Sequence, residues 1–298
     1  MSAPADNVDS QSLSDARAHP PAIGEIIRLR RQLTDEDVDE ILHHQRVHGL
    51  RFGEAAVALR LASKRDVLGA LSQQFKYPYP PGPEPADGAL NPELVVASSP
   101  FSDEAEAFRE LRTQVMTALN AQQSSGHVLA VLSPDVGDGK SFVAANLATA
   151  FSQLRARTLL IDADMRTPRL HKMFGLGQAL GLSHVLAGRG SSTSIVRVPA
   201  LPKLFVLPVG AVPPNPLELL ERRSFGMLMD WARPRFEYIV FDTAAAIHGA
   251  DARVVATQSS AVLVVGRRDK TRMQAMSSLL AGLSRSQAKL AGVVLNDW

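Results

Sequence analysis

The residues best suited to chemistry stand between an apolar run and a helical pattern: Ser133-Pro134-Asp135-Val136-Gly137-Asp138-Gly139-Lys140-Ser141. A general phosphate loop reads G-x-x-x-x-G-K-[ST]. Here Pro134 replaces the first glycine, while Gly137, Gly139, Lys140 and Ser141 remain. Glycines at these points let backbone N–H groups curl around phosphate oxygens at a helix N-terminus. The lysine of such a loop reaches the β- and γ-phosphates, and its hydroxyl residue ligates Mg²⁺. Two further apolar runs end in acids, Leu159-Leu160-Ile161-Asp162-Ala163-Asp164-Met165-Arg166 and Tyr238-Ile239-Val240-Phe241-Asp242-Thr243. A carboxylate buried in such a run is costly unless it is paired. The carboxyl end of a parallel strand is also where ligands bind in open α/β sheets. Asp242 has the form of the acid that holds Mg²⁺ behind a phosphate loop.

The elements that must position these groups are legible around them. Strand-like runs at 128–133, 158–162, 204–208, 238–242, 261–266 and 290–295 alternate with helical patterns that include 141–154, 216–231 and 271–284. Strands of this apolar density, separated by helices, predict an α/β fold: a parallel sheet covered by helices on both faces. A small helical repeat domain is expected ahead of it, over 22–79. Gly24-Glu25 recurs as Gly53-Glu54, Thr34 as Ser63, Asp37-Val38 as Asp66-Val67 and Leu42 as Leu71, at a constant offset of 29 residues. Thr34 and Ser63 read as N-caps, so each copy is a helix, a turn and a second helix. Residues 1–21 are polar and predict a disordered tail, and the Pro- and Gly-rich stretch 80–100 predicts an extended linker. The second domain is 101–298.

A length of 298 residues is that of about two domains. With no cysteine the chain has no disulfide, thiolate nucleophile or Cys-ligated metal site. A net charge of +2 gives no footprint for a nucleic-acid partner. No apolar run approaches the roughly 20 residues that span a bilayer, and the N-terminus has no apolar signal region, so a cytoplasmic protein is expected. Membrane contact is then expected through a partner.

The motif set resembles the bacterial tyrosine kinases of polysaccharide assembly, a branch of the MinD/ParA-type ATPases. Their phosphate loops resemble S-P-x-P-G-E-G-K-S, from which this chain differs by Val136 and Asp138. Their second acidic motif, D-x-D-x-R, is met by Asp162, Asp164 and Arg166, with Pro168, His171 and Phe174 following. The family segment E-x-x-R-x-x-R is met by Glu106, Arg109 and Arg112. Pro213-Pro214-Asn215-Pro216-Leu217-Glu218-Leu219-Leu220 and Gly292-Val293-Val294-Leu295-Asn296 are also similar. A repeat domain ahead of such a kinase resembles the EpsG-like chain-length-determinant kinases.

That resemblance implies an ATP- and Mg²⁺-dependent protein-tyrosine kinase of autokinase type, acting in exopolysaccharide chain-length control, polymerisation and export. Gly137, Asp138, Gly139, Lys140, Ser141 and Phe142 would cradle ATP, and Asn296 would contact adenine. Lys140 would neutralise the transferring phosphoryl group. Ser141, Asp162 and Asp242 would organise Mg²⁺, and Asp164 would be the base or orienting carboxylate at the tyrosine hydroxyl. Glu106, Arg109 and Arg112 would pack protomers into a ring or dimer. The implied partner is the cytoplasmic tail of a membrane chain-length-determinant, Wzz-like protein, which holds the kinase at the inner face of the membrane. A MinD/ParA-like switch ATPase without kinase activity is the alternative.

The chain departs from the family at three points. Asp242-Thr243-Ala244-Ala245 replaces D-x-P-P, which predicts a more mobile loop, and Phe142 replaces a common threonine. The sequence stops at Trp298 without the family's tyrosine-rich tail, and its tyrosines are Tyr77, Tyr79 and Tyr238. Tyr238 is expected in the core, and Tyr77 and Tyr79 against the repeat domain. That domain itself resembles the N-terminal domain of type II secretion ATPases and its cyclic-di-GMP-binding relatives. Their Arg-hydrophobic-Gly start is kept as Arg51-Phe52-Gly53 and lost in Ala22-Ile23-Gly24.

Overall fold

The computed structural model describes residues 22–75, 91–120, 126–177, 180–189, 194–284 and 287–297. The tail 1–21, the linker up to residue 90, Tyr77 and Tyr79 lie outside the described residues. The chain divides into two compact units, Met1–Pro81 and Gly82–Trp298.

In the first unit the repeat becomes two helical pairs: α1 (Ile23–Arg31) with α2 (Asp35–His48), and α3 (Phe52–Ala58) with α4 (Lys64–Phe75). Both second helices open on the same reciprocal cap. Thr34 N and Oγ1 donate to Asp37 Oδ2 at 2.8 and 2.7 Å, and Asp37 N donates back at 3.2 Å. Ser63 and Asp66 repeat this arrangement at 2.8, 2.6 and 3.2 Å. Neither pair has a core of its own. Ile26, Ile27 and Ile41 from one copy pack with Ala55, Ala56, Ala62 and Ala70 from the other. Within the second pair Gly53 lets α3 and α4 approach closely, because a Cβ there would stand 2.6 Å from Val67 Cγ1.

The second unit opens with α5 (Val95–Ser98) and α6 (Asp103–Asn120), then alternates strands and helices. The first half runs β1 (His127–Leu132), α7 (Lys140–Ser152), β2 (Thr158–Ala163), α8 (Leu170–Met173), α9 (Leu182–Leu186), β3 (Val196–Arg197) and β4 (Leu204–Leu207). The second half runs α10 (Pro216–Leu220), α11 (Arg223–Ala232), β5 (Tyr238–Thr243), α12 (Asp251–Thr257), β6 (Ala261–Arg267), α13 (Met273–Leu283) and β7 (Lys289–Asn296). The sheet order is β3-β4-β2-β5-β1-β6-β7. Alternate strand residues enter two cores: Leu129, Val131, Leu160, Val240 and Leu263 pack with α5–α7 residues, while Val128, Ala130, Leu159, Ile239 and Val262 pack with residues of α9–α13. Burial on both faces explains why these strands read as continuous apolar runs rather than alternating ones.

The expected α/β fold, a mostly parallel sheet between helices, is present, with the two-residue edge strand β3 running antiparallel to β4. Two expectations are corrected. The helical pattern at 216–231 breaks into α10 and α11, since Arg222 is extended (φ −69°, ψ 149°). The expected linker 80–100 is built into the second unit from Asn91 onward. Its apolar residues Leu94 and Val96 are fully buried in the core, and side chains of α7 bind its backbone: Asn146 Oδ1 accepts from Val96 N at 3.1 Å and Gln153 Nε2 donates to Val96 O at 3.2 Å. Among the described residues no helix is long and apolar enough to cross a membrane.

Candidate active site

Strand register brings the acids together. Asp162 on β2 and Asp242 on β5 are direct partners across two parallel strands, whose neighbours lie about 4.8 Å apart. Their parity matches Leu160 and Val240, so both belong to the sheet face that α7 covers. Between β1 and α7 the chain turns through left-handed Gly137 (φ 84°) and Gly139 (φ 99°). A Cβ on Gly139 would collide with the Asn296 amide. Asp138, fully buried, shapes the loop from inside: it accepts from Asp135 N and from Thr271 Oγ1, each at 2.8 Å.

The carboxylates have unlike surroundings. Asp164 is saturated with donors, namely Lys140 Nζ at 3.0 Å, Thr167 N and Oγ1 at 2.9 Å, and Arg166 N at 3.2 Å. Asp162 accepts from Asp164 N and Leu170 N, each at 3.2 Å. Burial, then the charges of Asp242 and Asp164, hold its pKa well above the usual carboxylate range. Asp242 is buried with no hydrogen bond to either carboxylate oxygen. Burial lifts its pKa to about 7, against the pull of Lys140, the nearby Ser141 hydroxyl and Arg169. Two neighbouring carboxylates whose charged forms burial disfavours, beside a hydroxyl and a phosphate loop, fit a divalent cation, which would offset their charge. No group of three or more acids or histidines converges as a self-sufficient metal site among the described residues. Mg²⁺ at a phosphate loop needs none, because it keeps waters and takes phosphate oxygens.

A cavity of about 450 Å³ is lined by Gly137, Lys140 and Ser141 of the phosphate loop and by Thr167, Arg169 and Lys172 of the segment after β2. That volume suits a nucleotide's polyphosphate and sugar.

The remaining expected residues are placed as follows. Phe142 turns its ring edge-on to Phe108 of α6, centroids 5.5 Å apart, so its backbone is what it offers the loop. Asn296 Nδ2 donates to Asp138 O at 3.0 Å and so braces the phosphate loop. Glu106 is exposed and pairs with Arg109 at 2.6 Å, while Arg109 also binds the Pro100 carbonyl. Arg112 turns inward to the Ala150 carbonyl at 2.8 Å. Tyr238 is buried, stacked on Phe151 with centroids 4.3 Å apart. The loop expected to be more mobile is fastened instead. Ala244 and Ala245 are buried, Thr243 Oγ1 donates to Val131 O, and Ala246 N and Ile247 N donate to Ser133 O and Pro134 O.

Sequence reasoning missed several residues. Arg166 grips Asp251 at the start of α12 (2.6 and 3.2 Å), which ties the acidic loop to the helix after β5. Arg166 was read as part of its motif, but its partner Asp251 was not, nor were Thr271, Arg169 and Glu93. The run Arg166, Arg169, Lys172 at spacing three was a usable sign of a basic wall, whereas Asp251, Thr271 and Glu93 carry no local signature.

Comparison with known proteins agrees with this geometry. Residues 129–298 match the model of the CobQ/CobB/MinD/ParA nucleotide binding domain. Over 205 residues the chain is 35% identical to the tyrosine-protein kinase wzc of Salmonella typhimurium, covering 69% of this chain but only 28% of that protein. It is 32% identical over 203 residues to the tyrosine-protein kinase YwqD of Bacillus subtilis, covering 68% of this chain and 85% of that one. The kinase domain of the Escherichia coli tyrosine kinase ETK superposes with a TM-score of 0.63 at 28% identity, covering 68% of this chain and 79% of that domain.

Proposed function

Because the chain belongs to the CobQ/CobB/MinD/ParA nucleotide-binding family and, within it, to the bacterial tyrosine-protein kinases, we propose that it transfers the γ-phosphoryl group of ATP to a tyrosine hydroxyl. The observation that carries this reading is the buried cluster of Asp162, Asp164 and Asp242 with Lys140 beneath the phosphate loop. Phosphoryl transfer needs chiefly positioning and charge neutralisation, which such a cluster can supply. Backbone N–H groups from Gly137 to Phe142 hold the phosphates at the α7 N-terminus. Lys140, oriented by Asp164, faces the transferring group. Ser141, Asp242 and Asp162 hold Mg²⁺, which when bound offsets the charge on the β- and γ-oxygens. Asp164 already accepts hydrogen bonds from the Lys140, Thr167 and Arg166 groups, so it orients the site rather than acting as a strong base.

The cellular role we propose is control of exopolysaccharide chain length, polymerisation and export. The kinase would act from the cytoplasm, at the membrane's inner face, with the tail of a membrane chain-length-determinant protein as activator. Protomers would assemble through Glu106, Arg109 and Arg112. Among the described residues the one tyrosine, Tyr238, is buried, which directs the search for the acceptor to other segments or to the partner. Incubation with Mg-ATP and that tail should yield phosphotyrosine, located by mass spectrometry. ATP hydrolysis without phosphotyrosine on either protein would replace the kinase with a MinD/ParA-like switch. In the first unit Arg51, exposed at the start of α3, is the residue we propose for cyclic-di-GMP. Calorimetry with that nucleotide on the full chain tests it, and no heat at high micromolar concentration removes it.

A further inference from the structure

The phosphate cavity has an unexplained charge balance. Behind its lining lie the buried carboxylates Asp162, Asp164 and Asp242, and Lys140, which does line it, is already paired with Asp164. A polyphosphate entering such a site needs more positive charge than Lys140 and a divalent cation bring. The rest of the cavity's lining carries it in Arg169 and Lys172. Arg169 is near enough for its charge to help hold down the pKa of Asp242.

Arg169 is nevertheless engaged. Its Nη2 donates to Glu93 Oε1 at 3.1 Å and Oε2 at 3.0 Å. Glu93 sits on a strap that is bonded to both α8 and α7. Asn91 N donates to Met173 O at the end of α8, while Asn146 Nδ2 of α7 donates to Glu93 O at 2.8 Å.

We propose that Arg169 is a second cation for the nucleotide's polyphosphate and that Glu93 competes with the phosphates for it, so the strap sets nucleotide affinity. The inference rests on the nucleotide-binding reading above. The Arg169–Glu93 pair is about half exposed, with side-chain exposures of 52% and 42%, so it is weak enough to exchange. A triphosphate offers the same guanidinium a stronger, multiply charged acceptor. Arg169 is thus a positioning residue for the phosphates, and Glu93 acts through it.

The test is titration of the full chain with fluorescent ADP and a fluorescent non-hydrolysable ATP analogue in Mg²⁺, read as dissociation constants. Arg169→Ala should weaken the ATP analogue about tenfold, and Arg169→Lys should recover part of that loss. Glu93→Gln should tighten it about threefold, less at high salt. The double variant should bind like Arg169→Ala alone. Unchanged affinity in Arg169→Ala, or a Glu93→Gln gain that persists without Arg169, would overturn the proposal. Arg169→Gln, which keeps donors but no charge, gives the same reading should Arg169→Ala melt early. If the wild-type chain binds neither nucleotide and matches Lys140→Met, the nucleotide-binding reading itself falls, and the proposal with it.

Discussion

The two units use the same side chain in opposite ways. In the repeat unit Asp37 and Asp66 lie at helix starts, where the Thr34 and Ser63 hydroxyls and N–H groups donate to them. The hydrogen bonds from Thr34 keep the Asp37 pKa below the ordinary range. Burial works against Asp66, but Ser63 and then Arg31 and Arg30 outweigh it. In the nucleotide unit Asp162 and Asp242 lie side by side on a buried face, and burial drives both pKa values up. The first pair of carboxylates stabilises the fold, while the second pair strains it until something positive arrives. That contrast separates structural acids from functional ones without reference to motif.

The largest expected effect comes from the one strand-end acid that does have a cation. Removing one partner of a buried ion pair costs about 3–5 kcal/mol. Asp164→Ala, which strands the buried Lys140, should therefore lower the unfolding free energy measured by urea denaturation by an amount near that range. Lys140→Met should cost clearly less stability, because Asp164 keeps the Thr167 and Arg166 donors. It should nonetheless abolish ATP turnover. Equal losses in the two variants would show that Asp164 is not the better-partnered group. Full turnover in Lys140→Met would remove the assigned site.

Asp242 should behave in the reverse sense. In EDTA at pH 8, where Asp242 is ionised, Asp242→Asn should stabilise the chain, because it removes a buried negative charge beside Asp164, and it should erase any stabilisation by Mg²⁺. The pH dependence carries the same sign. A carboxyl whose pKa is raised on folding binds its proton more tightly in the folded state. The part of the nucleotide unit's stability carried by Asp242 should therefore fall as pH rises from about 4 through about 7, and the raised Asp162 adds a slope of the same sign. The lowered pKa values of Asp37 and Asp66 act oppositely: their stabilisation is present above about 4 and is lost as pH falls through their folded values. Denaturation midpoints across pH 3–8, with hydrogen exchange to separate the units, test both slopes. Slopes of one sign in both units would end the contrast.

What could be read beforehand divides along the same line. Caps and the strand-end acids are local patterns, each written within a few consecutive residues, and the repeat is such a pattern recurring 29 residues on. Asp162 and Asp242 were legible because a charge ending an apolar run is conspicuous. Their lateral pairing was not, since it depends on which strands become neighbours in the sheet. Likewise the phosphate loop was legible, but its supports were not: Thr271 reaches Asp138 from 133 residues away and Arg166 reaches Asp251 from 85. The strap at 91–99 was misread because Pro and Gly density spoke for a linker, while Leu94 and Val96, which decide its packing, are too few to form a period. Arg169 and Glu93 meet only once that strap is in place.

The smallest effect tests whether the structural acids serve one cooperative body or two. Removing a side-chain cap costs about 1 kcal/mol, so Ser63→Ala should destabilise the repeat unit by roughly that amount. Thr34→Ala should act in the same direction. Because Ile26, Ile27 and Ile41 share one core with Ala55, Ala56 and Ala70, neither helical pair can bury its apolar face alone. Each substitution should therefore accelerate exchange in α2 and α4 alike, although it touches the start of only one. Asp66 also reaches Arg31 of the first copy at 3.6 Å, a second tie between the halves that salt should loosen. If Ser63→Ala loosens α4 and leaves α2 protected, the copies open separately, and the capping acids stabilise single helices rather than the unit.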